Sequence, residues 1–514
     1  MSQAQLTAKV PQSTKLIYGL GSVAYGAKTQ LLGLLLLFYN QLVGLPAAAV
    51  SLALSISIVI DAIWDPLVGQ WSDNLRSRWG RRHPLMYASA IPFAVCWVLL
   101  WHPPAGWSDQ ALFAYLLVLV VASRMLISLY EVPSSALAPE LAPAYHERTS
   151  LLSYRYLFGT LGGAAASVLA FAVFLKGTPD QPMGQLNIEG YWPYALTVAA
   201  IMVVSILGST AGTHDRIPTL HQPPARKAAL ADMVREVSAT LANRNFLVIV
   251  LSGTFAGMAG GLSNGLGIYF STYFWELPSS NLLVLVLGGL VASPVAAVIA
   301  PLLSRRFGKK QACINLFFAG LLVSVLPVGL RLLDLMPPNG EPLLVGILLL
   351  DRIVSGMLGI AGYIIVASMI ADIVEESQIK TGRRSEGLLM SADTLLQKVV
   401  GGIAAIIPGV MLAMVGFPDH AKPGAIDPDV LRNLALLYLP ATAVLSVAAI
   451  GSLYLYRIDR DAHERNLETI AEGAAKAELL AEALDQTPET ITTINRPARP
   501  ASSNQEPHLD RRHT

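Results

Sequence analysis

Long apolar stretches, separated by short polar ones, run along almost the whole chain. A helix needs about 20 mostly apolar residues to cross a bilayer. Twelve stretches are long enough, six in each half of the sequence, at roughly 17–42, 47–73, 85–102, 110–138, 150–175, 191–212, 246–275, 281–304, 312–333, 342–374, 387–414 and 432–457. The pattern predicts an all-α membrane protein with twelve transmembrane helices in two six-helix halves.

The polar segments divide the chain into five parts. The polar N-terminus has no pattern of a cleavable signal peptide, so we expect the first span to be retained. Beyond the last span, an Ala-, Glu- and Leu-rich stretch at 459–486 predicts a surface helix, and a Pro-, Ser-, Thr- and Asn-rich stretch at 487–514 predicts disorder. The predicted parts are the N-terminus 1–15, the halves 16–212 and 246–457, the central loop 213–245 and the tail 458–514.

Lysines and arginines are concentrated in the loops on one side of the predicted bundle. If the N-terminus is cytoplasmic, the loops of the opposite side hold only Lys176 and Lys422, with Arg331 near a helix end. Because cytoplasmic loops carry the excess of positive charge, this asymmetry places both termini in the cytoplasm.

Two of the basic loops have the same pattern. Arg78-Trp79-Gly80-Arg81-Arg82 follows the second span, and Arg306-Phe307-Gly308-Lys309-Lys310 follows the eighth. A topology signal alone would also explain a basic loop. Recurrence at matched places in two halves, however, resembles the doubled architecture of a major facilitator transporter. The candidate gating or topology residues are therefore Arg78, Gly80, Arg81, Arg306, Gly308 and Lys309.

Composition narrows the function. Charged residues make up 14% of the 514 residues, where a soluble protein has about 25%. The formal net charge of +1 argues against a nucleic-acid partner. Two cysteines are too few for a cysteine metal site, and HExxH and phosphate-binding GxxxxGK[ST] motifs are absent. We therefore expect no enzyme and no cofactor, and any uphill transport must use an ion gradient.

A few charged residues lie inside the apolar stretches, where each costs about 2.5–3.5 kcal/mol. Asp61 and Asp65 are the sharpest case, because a four-residue spacing places both on one face of a helix, with Ser57 one turn earlier. These oxygens could bind a small cation such as Na⁺ or share a proton. The alternative is that the acids only pair with cationic residues of neighbouring helices.

Further intramembrane charges suggest a binding site. Glu131 lies in the fourth span with Ser128 one turn away, and Arg155 and Lys398 are the natural counter-ions for the three acids. A purely structural role remains open for Arg155 and Lys398. For Lys28, Arg124, Asp351 and Arg352 a structural role is at least as well supported as a functional one.

At these residues the chain resembles the glycoside–pentoside–hexuronide:cation symporters, the melibiose permease group of the major facilitator superfamily. It also resembles their distant relatives, the sodium-dependent lysophospholipid symporters. The elements that carry the resemblance are Tyr18-Gly19-Leu20-Gly21, Asp61-Ala62-Ile63-Trp64-Asp65-Pro66, Ser77-Arg78-Trp79-Gly80-Arg81, Glu131-Val132-Pro133, Ser153-Tyr154-Arg155, Ala371-Asp372-Ile373-Val374-Glu375, Arg384-Ser385-Glu386-Gly387 and Lys398.

The resemblance implies roles for individual residues. Asp61 and Asp65 would bind the coupling cation, with Ser128 as a hydroxyl ligand. Glu131 and Arg155 would face a sugar, and Lys398 would link the two halves electrostatically. The cavity wall would include Asp393 and Thr394. The resemblance also implies a multi-pass protein of a bacterial inner membrane.

Three positions depart from the family pattern. The helix-one sugar carboxylate falls at Gly26, a helix-four aromatic at Ser135, and an asparagine beside the cation acids at Trp64. The first two argue against a simple galactoside, and the third favours H⁺ over Na⁺. Tyr25 and Trp64 are candidates for replacement stacking surface.

The sequence thus predicts a monomeric, cation-coupled symporter, driven by H⁺ or Na⁺, for a sugar or glycoside. One alternative is a lysophospholipid or other lipid symporter on the same fold. Another is a membrane sensor that does not transport.

Overall fold

A computed structural model describes residues 9–142, 144–179, 181–219, 243–381, 386–458 and 465, without side-chain detail at 30–32, 145–146, 218–219, 377–378, 380–381 and 386–392. Within these residues the chain is helical and contains no β-strand. Two compact units divide it at residue 460. The predicted tail helix and disordered end, and most of the central loop, lie outside the described residues.

Twelve helices of the described chain are long and apolar enough to cross a membrane. They are α1 Gln12–Val43, α2 Ala47–Asn74, α3 His83–Leu100, α4 Asp109–Leu141, α5 Glu147–Phe174, α6 Ile188–Ile217, α7 Arg244–Phe274, α8 Ser279–Phe307, α9 Lys309–Leu332, α10 Pro342–Glu376, α11 Asp393–Met414 and α12 Pro428–Tyr454. The helix of α10 continues to Thr381, and that of α11 begins at Glu386. The twelve predicted spans are confirmed.

Glycines let α1 pack directly against α5. A side chain at Gly26 would meet the backbone of Gly159, and one at Gly162 would meet the backbone of Val23. Small residues permit such close approach in membranes, where packing must replace the hydrophobic effect between helices. The position of the family's helix-one carboxylate is therefore occupied by a helix contact.

The two basic loops share a positive-φ glycine and an arginine beside an aromatic ring, which supports the doubled architecture, although the first loop has eight residues and the second is the single residue Gly308. Gly80 and Gly308 both adopt a positive φ, 74° and 77°. In each loop an arginine lies over the neighbouring aromatic ring: Arg78 is 5.7 Å from the Trp79 ring centre, and Arg306 is 5.4 Å from that of Phe307.

Each basic loop is also tied to an acid on the helix two spans later. Arg81 Nη2 and Arg82 Nη2 both lie 2.6 Å from Glu140 Oε1 at the end of α4. Lys309 Nζ lies 2.6 Å from Asp372 Oδ1 in α10. We call the end of the bundle that carries these loops the basic end.

The two halves are joined at the opposite end by buried hydrogen bonds. Asn40 and Gln41, in the π-helical turn that ends α1, accept hydrogen bonds from Tyr269 Oη at 2.8 Å and Tyr273 Oη at 3.1 Å in α7. Asn40 Nδ2 also donates to Asp419 Oδ1 at 2.6 Å. Because each unpaired buried polar group would cost about 1–3 kcal/mol, this network favours a closed opposite end.

Candidate functional site

The predicted acid pair lies in the middle of α2, facing α4 and α11. Asp61 and Asp65 are one helical turn apart, so both carboxylates project from the same face. The Asp61 side chain is 7% exposed and that of Asp65 is 25% exposed. The acids are therefore withdrawn from solvent in the centre of the bundle.

Asp61 is held from three sides. Its Oδ1 accepts a hydrogen bond from Ser128 Oγ of α4 at 2.9 Å. Its Oδ2 accepts one from Lys398 Nζ of α11 at 2.7 Å and lies 4.0 Å from Arg124 Nη1 of α4. The predicted proximity of Ser128 to the acid pair agrees with this geometry.

Lys398 is the residue that bridges the halves at this depth. Its ammonium group contacts both Asp61 Oδ2 and Asp65 Oδ2. Asp65 Oδ1, in contrast, is buried and accepts no hydrogen bond from the described residues. Asp65 Oδ1 is thus the carboxylate oxygen of the acid pair that has no hydrogen bond from the described residues, and a proton or a cation could bind to it.

Ser57 contacts an arginine instead of the acids. Its hydroxyl donates to Leu54 O at 2.6 Å and accepts from Arg124 Nε at 2.9 Å. This hydroxyl oxygen is already engaged by a fixed cation, so its predicted part as a cation ligand would require Arg124 to move.

Glu131 has a different counter-ion from those expected. Its Oε2 lies 3.6 Å from Lys28 Nζ of α1, while Lys398 binds the acid pair. Its Oε1 is buried and has no hydrogen-bond partner among the described residues. The carboxylate therefore has an acceptor available for a hydroxyl group.

Arg155 is fixed by polar groups of α1 and α4. It donates from Nη1 to Tyr18 Oη at 3.2 Å and to Ser134 Oγ at 3.1 Å, and from Nη2 to Glu131 O at 3.5 Å. The expected closeness of Arg155 to Glu131 is found, but the contact is to the backbone carbonyl. The guanidinium is thereby positioned beside the Glu131 helix turn.

The two aromatic candidates differ in availability. Tyr25 is 47% exposed, and Lys28 Nζ lies 5.0 Å from the centre of its ring. The Trp64 indole donates to Met125 O at 3.0 Å, which anchors its ring against α4. On α11, Asp393 is half-buried and Thr394 is exposed, one turn before Lys398. Tyr25 is thus the more accessible stacking surface.

Lys28 and Arg124 contact the acids of the site more directly than the sequence predicts. Both are charges inside apolar stretches, for which a structural role is at least as well supported as a functional one. A stronger signal was available for Arg124, since Arg124, Ser128 and Glu131 follow the spacing of one helix face. For Lys28 the decisive fact is its distance to Glu131, which needs the packing of α1 on α4.

The site contains few groups that bind metals strongly. No cluster of three or more His, Cys, Asp or Glu side chains able to hold a metal ion occurs in the described part of the chain. Two carboxylates and a serine hydroxyl could bind a monovalent cation or a proton.

Comparison with known proteins gives a consistent picture. The profile of the family described as MFS/sugar transport protein matches residues 17–460. The isoprimeverose transporter of Lactiplantibacillus pentosus is 26% identical, with 88% of this chain and 90% of that protein covered. A putative glycoside/cation symporter of Escherichia coli K12 is 25% identical, with 93% and 98% covered.

Solved structures share the fold. The xylose transporter of E. coli in an inward open conformation superposes with a TM-score of 0.57 at 13% identity, over 87% of this chain and 96% of that one. At this identity the likeness concerns the fold alone, which is the major facilitator fold of two six-helix halves.

Proposed function

The chain belongs to the MFS/sugar transport protein family, and we propose that it is a cation-coupled symporter of a sugar or glycoside that works by alternating access. As a member it is a membrane transporter and not an enzyme, and it spans the bacterial inner membrane many times. Support for the sugar comes from the relatives' names, and support for coupling comes from the acid pair. We expect both termini in the cytoplasm and a monomer, since one chain contains the whole site.

The observation that carries this proposal is the bridge from Lys398 to Asp61 and Asp65. It joins the two halves at mid-membrane, and the adjacent Asp65 Oδ1 accepts no hydrogen bond from the described residues. A cation arriving at this oxygen competes with Lys398 for the carboxylates. Binding there loosens the bridge, so the halves can rock about the site.

The sugar would lie next to the acid pair, against Glu131, Arg155 and Tyr25. The buried Glu131 Oε1, which has no hydrogen-bond partner among the described residues, can accept from a sugar hydroxyl, the Arg155 guanidinium can donate to one, and the exposed Tyr25 ring offers a face for stacking. Because α4 carries both Ser128 and Glu131, changes at the cation site reach the sugar site through one helix.

For the coupling ion we favour H⁺ over Na⁺. Trp64 replaces the family's neutral oxygen ligand, and its indole is bound to Met125 O. A membrane potential supplies about 2.3 kcal/mol per charge per 100 mV. One co-transported cation therefore supports roughly fifty-fold accumulation of the sugar.

The proposal is tested by uptake into energised vesicles with a panel of radiolabelled monosaccharides, disaccharides and uronates. We expect wild type to concentrate at least one of them. Asp61→Asn and Asp65→Asn should lose accumulation against the gradient while Asp109→Asn, an exposed acid at the start of α4, keeps it. Accumulation by both Asp61→Asn and Asp65→Asn at the wild-type level would refute the coupling site. Uptake of none of the panel by wild type, with uptake of a lysophospholipid, would refute the sugar.

A further inference from the structure

Arg124 is a second fixed cation at the acid pair. Its side chain is 13% exposed in the interior of α4. Nε donates to Ser57 Oγ at 2.9 Å, and Nη1 lies 4.0 Å from Asp61 Oδ2. The guanidinium therefore occupies the space between the hydroxyl and the first carboxylate, which is the place where oxygen ligands from α2 would meet a metal ion.

The charges of the acid pair and of the two cations that contact it balance without any bound ion. Asp61 and Asp65 contribute two negative charges, and Lys398 and Arg124 contribute two positive ones. Without Arg124 the cluster would carry a net charge of −1, which would attract one monovalent cation. With Arg124 an alkali ion would have to enter a neutral cluster that already contains two cationic groups.

Distance makes this effect large. A sodium ion held by Asp61 and Ser57 would lie about as far from the guanidinium as Asp61 Oδ2 does. Two like charges about 4 Å apart, at the effective dielectric constant of partly buried protein sites, change a binding constant about a thousandfold. Repulsion acts on any cation, but a proton needs a single oxygen, and Asp65 Oδ1 accepts no hydrogen bond from the described residues. A sodium ion needs several oxygen ligands, and here Ser57 Oγ is bonded to Arg124 and Asp61 Oδ1 to Ser128.

We propose that Arg124 determines ion selectivity by acting as a built-in cation that excludes sodium from the Asp61–Asp65 site. This inference rests on the proposed cation-coupled transport, because it names the residue that restricts which ion can couple. Lys398 has a different role, because it extends from the second half to the acids of the first half. Arg124 and both acids belong to the first half and move with it.

The test measures sodium binding to the purified full-length protein by thermal shift, in NaCl against choline chloride at constant ionic strength and pH. Wild type should show no saturable stabilisation by sodium. Arg124→Gln should gain it, with an apparent affinity at least a hundredfold above that of wild type. The matched control Arg124→Lys, which keeps the charge, should not respond, and Arg124→Gln with Asp61→Asn should lose the gained response.

Several results would overturn the inference. They are saturable stabilisation of wild type by sodium, an equal response in Arg124→Lys, or a folded Arg124→Gln that stays insensitive. Wild type folds, so its own thermal shift in sodium can overturn the inference even if the variants do not fold. Sodium-driven sugar uptake by wild type would refute selectivity by Arg124 and leave the symporter intact. A gained sodium response without any sugar uptake would support the selectivity and refute the sugar.

Discussion

The two halves of the molecule share an architecture but not a chemistry. Each has six spans and a basic loop with a glycine of positive φ, tied to an acid two helices later. At mid-membrane, however, the first half supplies Asp61, Asp65, Arg124, Glu131 and Arg155. The second half reaches this cluster through Lys398.

This difference suggests a division of labour. Fold duplication reproduces the six-helix packing and the positive-φ glycine of each basic loop, because both halves face the same bilayer and obey the same constraints. Nothing requires the buried charges to be duplicated, and each extra one would be costly. In the described part of the chain Lys398 is the cationic link between the halves at this depth, and one arriving cation can break it, whereas two symmetric links would demand two.

Removing the link should have the largest effect. Lys398→Met leaves Asp61 and Asp65 without their shared counter-ion, and breaking a buried ion pair costs about 3–5 kcal/mol. We expect a lower melting temperature and at least a tenfold loss of accumulation in vesicles. Lys398→Arg, which retains the charge, is the control. Wild-type accumulation by Lys398→Met would show that the halves communicate by another route.

Neutralising Glu140 and Asp372, the acids that hold the two basic loops, compares the halves directly. Glu140 holds two buried arginines, while Asp372 pairs with Lys309, whose side chain is 29% exposed. We expect Glu140→Gln to cost about 3 kcal/mol and Asp372→Asn about 1.5 kcal/mol. Chemical unfolding in detergent measures both. Equal losses would mean that the two loops are energetically equivalent although they differ in length.

The contact between the halves at the opposite end offers a third comparison. Gln41 Nε2 donates to Pro418 O at 3.1 Å, and its Oε1 accepts from Ala421 N at 2.8 Å. Gln41→Ala should cost about 1–3 kcal/mol in the closed state and shift the population toward an open opposite end. Thr272 is a fully buried residue of α7 at this end. Labelling of a cysteine introduced there should then be faster than in the Thr272→Cys single variant. Unchanged labelling, with Gln41 replaced and the protein folded, would place the closing energy elsewhere.

The loop glycines should give the smallest effect. An alanine held in such a sparsely populated backbone conformation costs about 1–3 kcal/mol. Gly308, at φ 77° and ψ 156°, lies in a region that is essentially restricted to glycine, although its added Cβ would meet nothing within 4 Å. The added Cβ at Gly80 would lie 3.1 Å from Ile217 Cγ2. We therefore expect both Gly80→Ala and Gly308→Ala to lower the melting temperature. An unchanged melting temperature in either variant would show that the glycine conformation is not required in that loop.

Much of the fold could be predicted from local patterns. All twelve spans were recognisable because a membrane helix must satisfy its own backbone and be apolar over its length, so the signal is contained in each segment. The repeat of Arg78 to Arg82 in Arg306 to Lys310 was visible for the same reason. Contacts such as Tyr269 with Asn40 had no such signal, since both residues lie within helices of ordinary composition.

The site was only partly predictable. The spacing of Asp61 and Asp65 gave their shared face, but the counter-ion of Glu131 was expected among Arg155 and Lys398, and the structure gives Lys28. Arg124 shows the limit most clearly. Its place on the Ser128 face was readable, but its hydrogen bond to Ser57 depends on how α4 packs against α2.

By itself, the sequence determined where the chain crosses the membrane, which loops are basic and which charges are buried, because these properties depend on neighbours within a few turns. Only the tertiary structure decided which charges meet. Lys398 contacts Asp61 and Asp65, which lie 337 and 333 residues away in the sequence, and Arg124 donates to Ser57, which lies 67 residues away. In a low-dielectric interior the energy of a charge depends steeply on distance, so partner identity follows from packing that no local pattern encodes.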